Sequence, residues 1–413
     1  MLRDILGGNI DASRTGGKIK LVLLLTVLSC LFNYDQVLVR PVIAIGGFFT
    51  SLPVFKGGDH LSSSSGTDWL SKVADHNWLE NFNCDYITAK IEQPFGKPDL
   101  KKDISGHFEK LAFRFMPFLI AHVLHLDHRG LYCLQLLLGI LFPLLIWKVL
   151  HEATNSFTLA TAGAVLVNGL YAGCSFLIDG IYFDAFAYFF LICGMLRWPR
   201  WVSVIFLLCA AFTDERAVPA ACLVPVWHLL SAPGLINRKQ VFREAAWLLV
   251  FLGVYALLRV IIGASLELET GHRGVGWEIF RLNVPNIVLL VWSVFEGGWV
   301  IIALAAFGIY DSRSHVQWAV AGFAAACLGG IFLLGMLVGD SIRSQQYAYP
   351  LLLIALVVAG RRSGGIPRRW LWLAIVLTLI SPITIYLGMA SVKGGTVYNM
   401  HQLRPGYLGI FGL

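Results

Sequence analysis

Charge is what this sequence has least of. Only 14% of its 413 residues are Asp, Glu, Lys or Arg, where an ordinary soluble domain carries about 25%. That shortage excludes a disordered chain. Together with 57% hydrophobic residues it also excludes an ordinary soluble enzyme. Cysteine is sparse and unpatterned: eight residues and no CxxC, which excludes a thiolate metal site and a disulfide scaffold. Cys30, Cys133, Cys174, Cys193, Cys209, Cys222 and Cys327 all lie in apolar stretches and read as small buried hydrophobes; Cys84 alone lies in a polar segment. There is no Asn-x-Ser/Thr acceptor, which permits a bacterial protein. Walker loop, Rossmann fingerprint, serine-nucleophile elbow and zincin motif are missing too. The densest basic patch, Arg361-Arg362 with Arg368-Arg369, is too small for a nucleic-acid-binding surface. It reads as a marker of membrane sidedness, with anionic-lipid contact as a secondary role.

What is present is apolar length. Mean hydropathy is +0.70, and apolar runs of near-spanning length recur along the chain. Thirteen Trp, 13 Tyr and 27 Phe suit aromatic belts at membrane interfaces. The first run, Leu21–Phe32, follows Arg3, Arg14, Lys18 and Lys20. It lacks a clean cleavage pattern and reads as a crossing with the N-terminus in the cytoplasm. Later runs are Leu131–Trp147, Phe157–Leu177, Phe183–Leu196, Trp201–Phe212, Val218–Leu230, Ala245–Ile262, Val284–Ile309, Val316–Val338, Tyr347–Ala359 and Leu371–Gly388. The expected fold is an all-α polytopic membrane protein, one transmembrane domain over 1–413 with about 11 transmembrane helices. Residues 35–130 form a long first extracytoplasmic loop with interfacial helices inside it.

Parity turns on Leu111–Leu126, which is short and carries Arg114, His122 and His125. Treated as an outer surface helix, it leaves eleven crossings and puts fifteen basic residues on inner segments. These include Lys148, Arg197, Arg200, Arg238, Lys239, Arg243, Arg313 and Arg361–Arg369. The outer turns are then mixed in sign, as the positive-inside pattern requires. His122, His125 and His128 recur every third residue. On one helix they would span an arc of about 120°; a metal site is conceivable, and snorkelling polar groups on an interfacial helix are the simpler reading.

That topology gathers polar groups on the outer side. Asp85 lies in the long loop, Asp179 and Asp184 flank the second outer turn, Asp214, Glu215 and Arg216 form the third, and Asp340 and Arg343 lie in a later one. Charge in hydrocarbon costs several kcal/mol, so such groups sit at aqueous ends or line cavities. A carboxylate there can take a proton from a hydroxyl or bind a divalent cation. An arginine can hold a phosphate through directional donors. A proton-coupled transporter uses the same residue types, so a transporter or flippase of a lipid-linked glycan or other polar lipid stands as the alternative. A membrane scaffold ranks third.

The pattern resembles the GT-C superfamily of integral-membrane glycosyltransferases. The resemblance is architectural over most of the chain and local in four segments. These are Asp85-Tyr86-Ile87-Thr88-Ala89-Lys90, Phe113-Arg114-Phe115-Met116-Pro117, Thr213-Asp214-Glu215-Arg216-Ala217 and Gly339-Asp340-Ser341-Ile342-Arg343. It implies a polyprenyl-phosphate-linked sugar donor, with an acid of the first outer loop at the catalytic centre. That role maps to Asp85, with Asp75 and Asp35 as alternatives, because the first loop has no adjacent Asp-Asp pair. Asp214, Glu215, Arg216, Asp340 and Arg343 would bind substrate, Arg343 or Arg216 facing the leaving phosphate. The other implied partners are membrane lipids and a glycan, lipid or protein acceptor, with no nucleic acid. The implied setting is a bacterial inner membrane.

Overall fold

A computed structural model describes residues 86–96, 112–177, 183–232, 236–266, 276–284, 287–312, 315–338, 341–361, 365–380, 383–386, 389–392 and 396–399. The expected first crossing, Leu21–Phe32, lies outside the described residues, as do Asp35, Asp75, Asp85, Asp179 and Asp340.

After a helical segment at 86–92 the chain runs through α1 (Met116–Val123), α2 (His128–Thr154), α3 (Phe157–Gly169) and a short α4 (Tyr171–Cys174). Next come α5 (Asp184–Met195), α6 (Arg200–Ala211), α7 (Ala217–Ala221), α8 (Leu223–Ser231) and α9 (Arg238–Ser265). The last helices are α10 (Trp277–Asn283), α11 (Ile287–Phe295), α12 (Gly298–Ser312), α13 (His315–Met336), α14 (Ser341–Gln345), α15 (Tyr349–Gly360) and α16 (Arg368–Ile380). An antiparallel sheet in the order β1 (Ile383–Tyr386), β2 (Met389–Val392), β3 (Thr396–Asn399) follows, with Ile383 opposite Val392 and Met389 opposite Asn399.

Among the described residues three helices, α2, α9 and α13, are long and apolar enough to cross a membrane. Their 27, 28 and 22 residues extend about 33–42 Å at 1.5 Å per residue, beyond a hydrocarbon core of about 30 Å. The protein is therefore of the multi-pass helical membrane class. Among the described residues these three have the length of a complete span; α3, α5, α6, the α7–α8 pair and most of α12 are shorter apolar stretches.

Length and burial run in opposite directions. In the short α5 every residue but Phe189 is buried, and α3 is buried from Leu159 through Gly169. In the long α9 only Glu244 and Phe251 are. Phe242, Leu249, Leu257 and Val260 of α9 face outward, as a lipid-facing helix requires. Helix ends follow local chemistry. Asn155 closes α2 in the left-handed conformation, which Asn tolerates. Ser156 then caps α3 by accepting from the Leu159 N–H at 3.3 Å. Asn237 and Gln240 form a reciprocal capping box at the start of α9, satisfying two otherwise unpaired donors.

The structure departs from the expected runs at several places. Phe157–Leu177 is not one helix: α3 stops at the Asn168-Gly169 pair and Leu170 is extended, both preceding residues being weak helix formers. Val284–Ile309 divides into α11 and α12 at Glu296, which has φ 47°, and Gly297. A Cβ on Gly297 would lie 1.9 Å from the Ala374 carbonyl oxygen, so only glycine lets the break pack against α16. Leu371–Gly388 is helical only to Ile380, and 383–386 pairs as β1. The all-α expectation thus holds for the bundle and gives way to the sheet beyond it.

Candidate functional site

The α5–α6 hairpin puts Asp184, at the start of α5, and Asp214, just past α6, at one end of the bundle. Around them gather Arg114 from the turn before α1, Glu215 and Arg216 from the turn before α7, and Arg343 and Ser344 from α14. Arg114 clamps Glu215 bidentately, Nε to Oε2 at 3.0 Å and Nη2 to Oε1 at 2.8 Å, and pairs with Asp214 at 3.1 Å. Arg216 donates from Nε to Asp214 Oδ1 at 2.7 Å, pairs through Nη2 with Asp214 Oδ2, and donates to Ser344 Oγ at 3.0 Å. Its Nη2 also reaches Asp184 at 3.2 Å, and Arg343 pairs with the other oxygen of Asp184. Three guanidiniums thus meet three carboxylates.

The network is buried. Asp214 has a side-chain exposure of 0% and Glu215, at the rim, 36%. Burial by itself would push the Asp214 carboxyl up; the Arg114 and Arg216 guanidiniums outweigh it and hold it well below the usual carboxylate range. Glu215 is lowered by the same contest between burial and Arg114. The backbone helps: Arg216 N–H donates to Asp214 Oδ1 at 2.9 Å, so the Asp214-Glu215-Arg216 turn pre-orients its own acid.

Aromatic groups frame the ions. The Arg216 guanidinium lies 5.7 Å from the centre of the Tyr347 ring, which packs on Tyr188 at 4.6 Å. Tyr188 Oη donates to the Arg343 carbonyl at 2.8 Å, and Tyr349 Oη donates to the Tyr188 carbonyl at 2.8 Å. Phe95, Phe115 and Phe212 pack in series at 4.8 and 5.0 Å, and the Met116 N–H donates to the Phe212 carbonyl at 3.2 Å. These contacts seat α1 and the segment 86–96 against this end. α1 has eight residues, about 12 Å of helix, far less than a span.

Asp214, Glu215, Arg216 and Arg343 are therefore in one cluster, while Asp85 and Asp340 lie outside the described residues. Two members were not among the expected substrate-binding residues: Arg114, which the sequence shows only as a charge in a short apolar run, and Asp184, the acid that opens an otherwise apolar helix. A charge bordering hydrocarbon was the available signal for both. The three histidines do not share a helix. α1 ends at Val123, His125 sits at φ 54°, and His128 opens α2 behind the Asp127 cap. His122 Nδ1 lies 2.9 Å from the Ile91 carbonyl. Among the described residues no group of three or more His, Cys, Asp or Glu side chains is placed to hold a metal ion.

Fold and site together define a multi-pass helical membrane protein with a buried ionic centre at one end of its bundle. No family model, curated protein or solved structure matches the chain.

Proposed function

We propose that the protein is a membrane glycosyltransferase that moves a sugar from a polyprenyl-phosphate-type donor to an extracytoplasmic glycan, lipid or protein acceptor. In this reading it is a GT-C-like enzyme of about eleven crossings in a bacterial inner membrane, with its N-terminus in the cytoplasm and the ionic centre outside. The observation that carries the reading is the three-arginine centre, drawn from four separate chain segments at one end of an apolar bundle. In this reading the apolar bundle takes the prenyl tail, and the guanidiniums suit its phosphate.

The reaction is an inverting displacement. The acceptor oxygen attacks the anomeric carbon, the bond from that carbon to the phosphate oxygen breaks, and the phosphate leaves with the electron pair. Asp85 takes the acceptor proton. Arg343 or Arg216 stabilises the phosphate charge. Asp184 is shared by both arginines; a phosphate arriving at Arg343 leaves Asp184 with Arg216, so neither charge is stranded. Asp340 and a divalent cation belong to the same reading as further groups at the donor.

The test is transfer by purified full-length protein from polyprenyl-phosphate-linked sugars to envelope acceptors. Asp85→Asn is expected to abolish turnover while donor binding persists; near-normal turnover would remove Asp85 as the base. Arg343→Ala is expected to weaken donor binding in a folded protein. A second reading, transport or flipping of a lipid-linked glycan, draws support from one observation: all three guanidiniums are paired with carboxylates, as in a closed network that opens on loading. Movement of an intact lipid-linked sugar across vesicles, without bond cleavage, would favour it.

A further inference from the structure

At the end of the bundle opposite the ionic centre, where α2 closes and α3 begins, α3 and α16 pack side by side and leave a crevice along their seam. Thr158 and Ala162, one turn apart on α3, form one wall. Arg368, Leu371, Trp372 and Ile375 of α16 form the other. Their spacing of three, four and seven residues puts them on a single helix face. The crevice holds about 260 Å³ of empty space, part of it open to the surroundings. From Arg368 to Ile375 it follows about 10 Å of helix. Its polarity is graded. Ala162, Leu371 and Ile375 are buried, and Trp372 is exposed. The polar lining residues, Thr158 and Arg368, both lie in the first turn of their helices, at the mouth. Arg368 is exposed, and its guanidinium has no ion pair or hydrogen bond among the described residues. Arg361, by contrast, is fully occupied by backbone carbonyls. Because α3 and α16 both begin here, the positive ends of their dipoles add to the Arg368 charge.

We propose that the α3–α16 crevice binds an anionic phospholipid, its phosphate at Arg368 and Thr158 and part of one acyl chain along the apolar walls. The site is independent of the glycosyl-transfer reading and lies at the other end of the bundle. The chemistry selects the ligand class. A soluble anion would pair with Arg368 and leave the apolar walls uncovered. A purely apolar ligand would cover the walls and leave the guanidinium without a counter-charge. An anion carried on a hydrocarbon chain satisfies both, and the membrane around a multi-pass protein supplies it. The chain lies along an open seam, so it needs no enclosed cavity. Trp372, on the open side beside Arg368, is of the type favoured where hydrocarbon meets headgroups. The guanidinium can hold a phosphate through several donors, with the Thr158 hydroxyl as a further one. A zwitterionic lipid offsets its own phosphate with an ammonium, so a net negative headgroup is preferred.

The test titrates purified full-length protein in detergent with dioleoyl phosphatidylglycerol and, separately, dioleoyl phosphatidylcholine, and native mass spectrometry counts the bound lipid. The wild type is expected to take its first phosphatidylglycerol about fivefold or more tightly than its first phosphatidylcholine. Arg368→Gln is expected to remove most of that preference, a loss of about 3- to 5-fold. Lys239, exposed near the start of α9 at the same end and outside the crevice, is the control. Lys239→Gln is expected to leave the preference within about 1.5-fold, because a charge outside the site acts only through the screened surface potential. Equal losses in the two variants would show that the basic end attracts anionic lipid without a site, and would overturn the proposal. Equal wild-type affinity for the two lipids would overturn it too. The acyl-chain part is tested by Ala162→Leu, which fills the crevice, and by Trp372→Ala, which strips one wall at an exposed position and so keeps the test open if the first variant does not fold. Weaker binding of both lipids, with Arg368 intact, is expected. Unchanged binding in the folded variants would show that the crevice holds no chain and would overturn the site as drawn.

Discussion

The two ends of the bundle handle arginine in opposite ways. At the end holding Asp184 and Asp214, guanidiniums meet buried carboxylates. At the other end, Arg361 meets carbonyls. Its Nη1 donates to the Leu230 carbonyl, and to that of Ala232 at 3.0 Å; its Nη2 donates to the Ser231 carbonyl, and to that of Ala153 at 3.2 Å. Those carbonyls lie at or near the C-termini of α2 and α8, and Arg361 itself follows α15. One exposed cation thus ties three helix ends together, where unpaired carbonyls and the helix dipole both favour positive charge. Nearby, Arg200 binds the buried Glu244 at 2.9 Å and Arg243 binds it at 3.3 Å. The lesson is that arginine abundance alone does not mark a site. At the basic end Arg361 is a fastener open to water, and at the mixed end three arginines are sealed away from water with their counter-charges.

That contrast orders the expected effects of substitution. The largest belongs to Asp214→Asn. It removes the acid shared by Arg114 and Arg216, and breaking a buried pair from one side typically costs about 3–5 kcal/mol. Thermal unfolding of the purified protein measures it. The pH dependence has a definite sign. Asp214 has a folded pKa well below the ordinary value. Its contribution is therefore fully present above about pH 4, the unfolded carboxylate range, and is lost as pH falls through the folded value. The stability gap between wild type and Asp214→Asn should narrow in acid. A gap that is the same at pH 3 and pH 7 would break the contrast between the ends.

Arg361→Ala comes next, at about 2 kcal/mol, because water can reach the carbonyls it leaves behind. A loss equal to that of Asp214→Asn would show that the basic end is as sealed as the mixed one. Arg200→Ala should cost a similar amount, about 1–3 kcal/mol, since the buried Glu244 keeps only the exposed Arg243 beside it; pairing it with Glu244→Gln in a double-mutant cycle isolates the bond. The smallest effect is expected for Lys148→Ala. Lys148 reaches Glu152 only at 3.9 Å across one helical turn, both side chains being substantially exposed, and such pairs contribute about 0.3–0.5 kcal/mol. A change in Tm beyond error would mean that this surface pair does more than its geometry indicates.

Sequence alone determined the class of the protein and the positions of most helices. Hydropathy sums locally, so Leu131–Trp147 falls inside α2, Ala245–Ile262 inside α9 and Val316–Val338 over most of α13. It also singled out Asp214, Glu215, Arg216 and Arg343, since a charge bordering an apolar run is costly and therefore conspicuous. What each charge meets was decided only by the tertiary structure. Arg114 and Glu215 are 101 residues apart in the chain, and the Tyr188 hydroxyl bonds a carbonyl 155 residues away. No local pattern encodes such pairings. The division of Val284–Ile309 at Glu296-Gly297 was hidden for the same reason: the break packs against α16, where the Ala374 carbonyl leaves no room for a Cβ on residue 297. Local apolarity determines that a segment enters the bundle. Side-chain and backbone packing between segments distant in sequence determines where it bends and which charges it brings together.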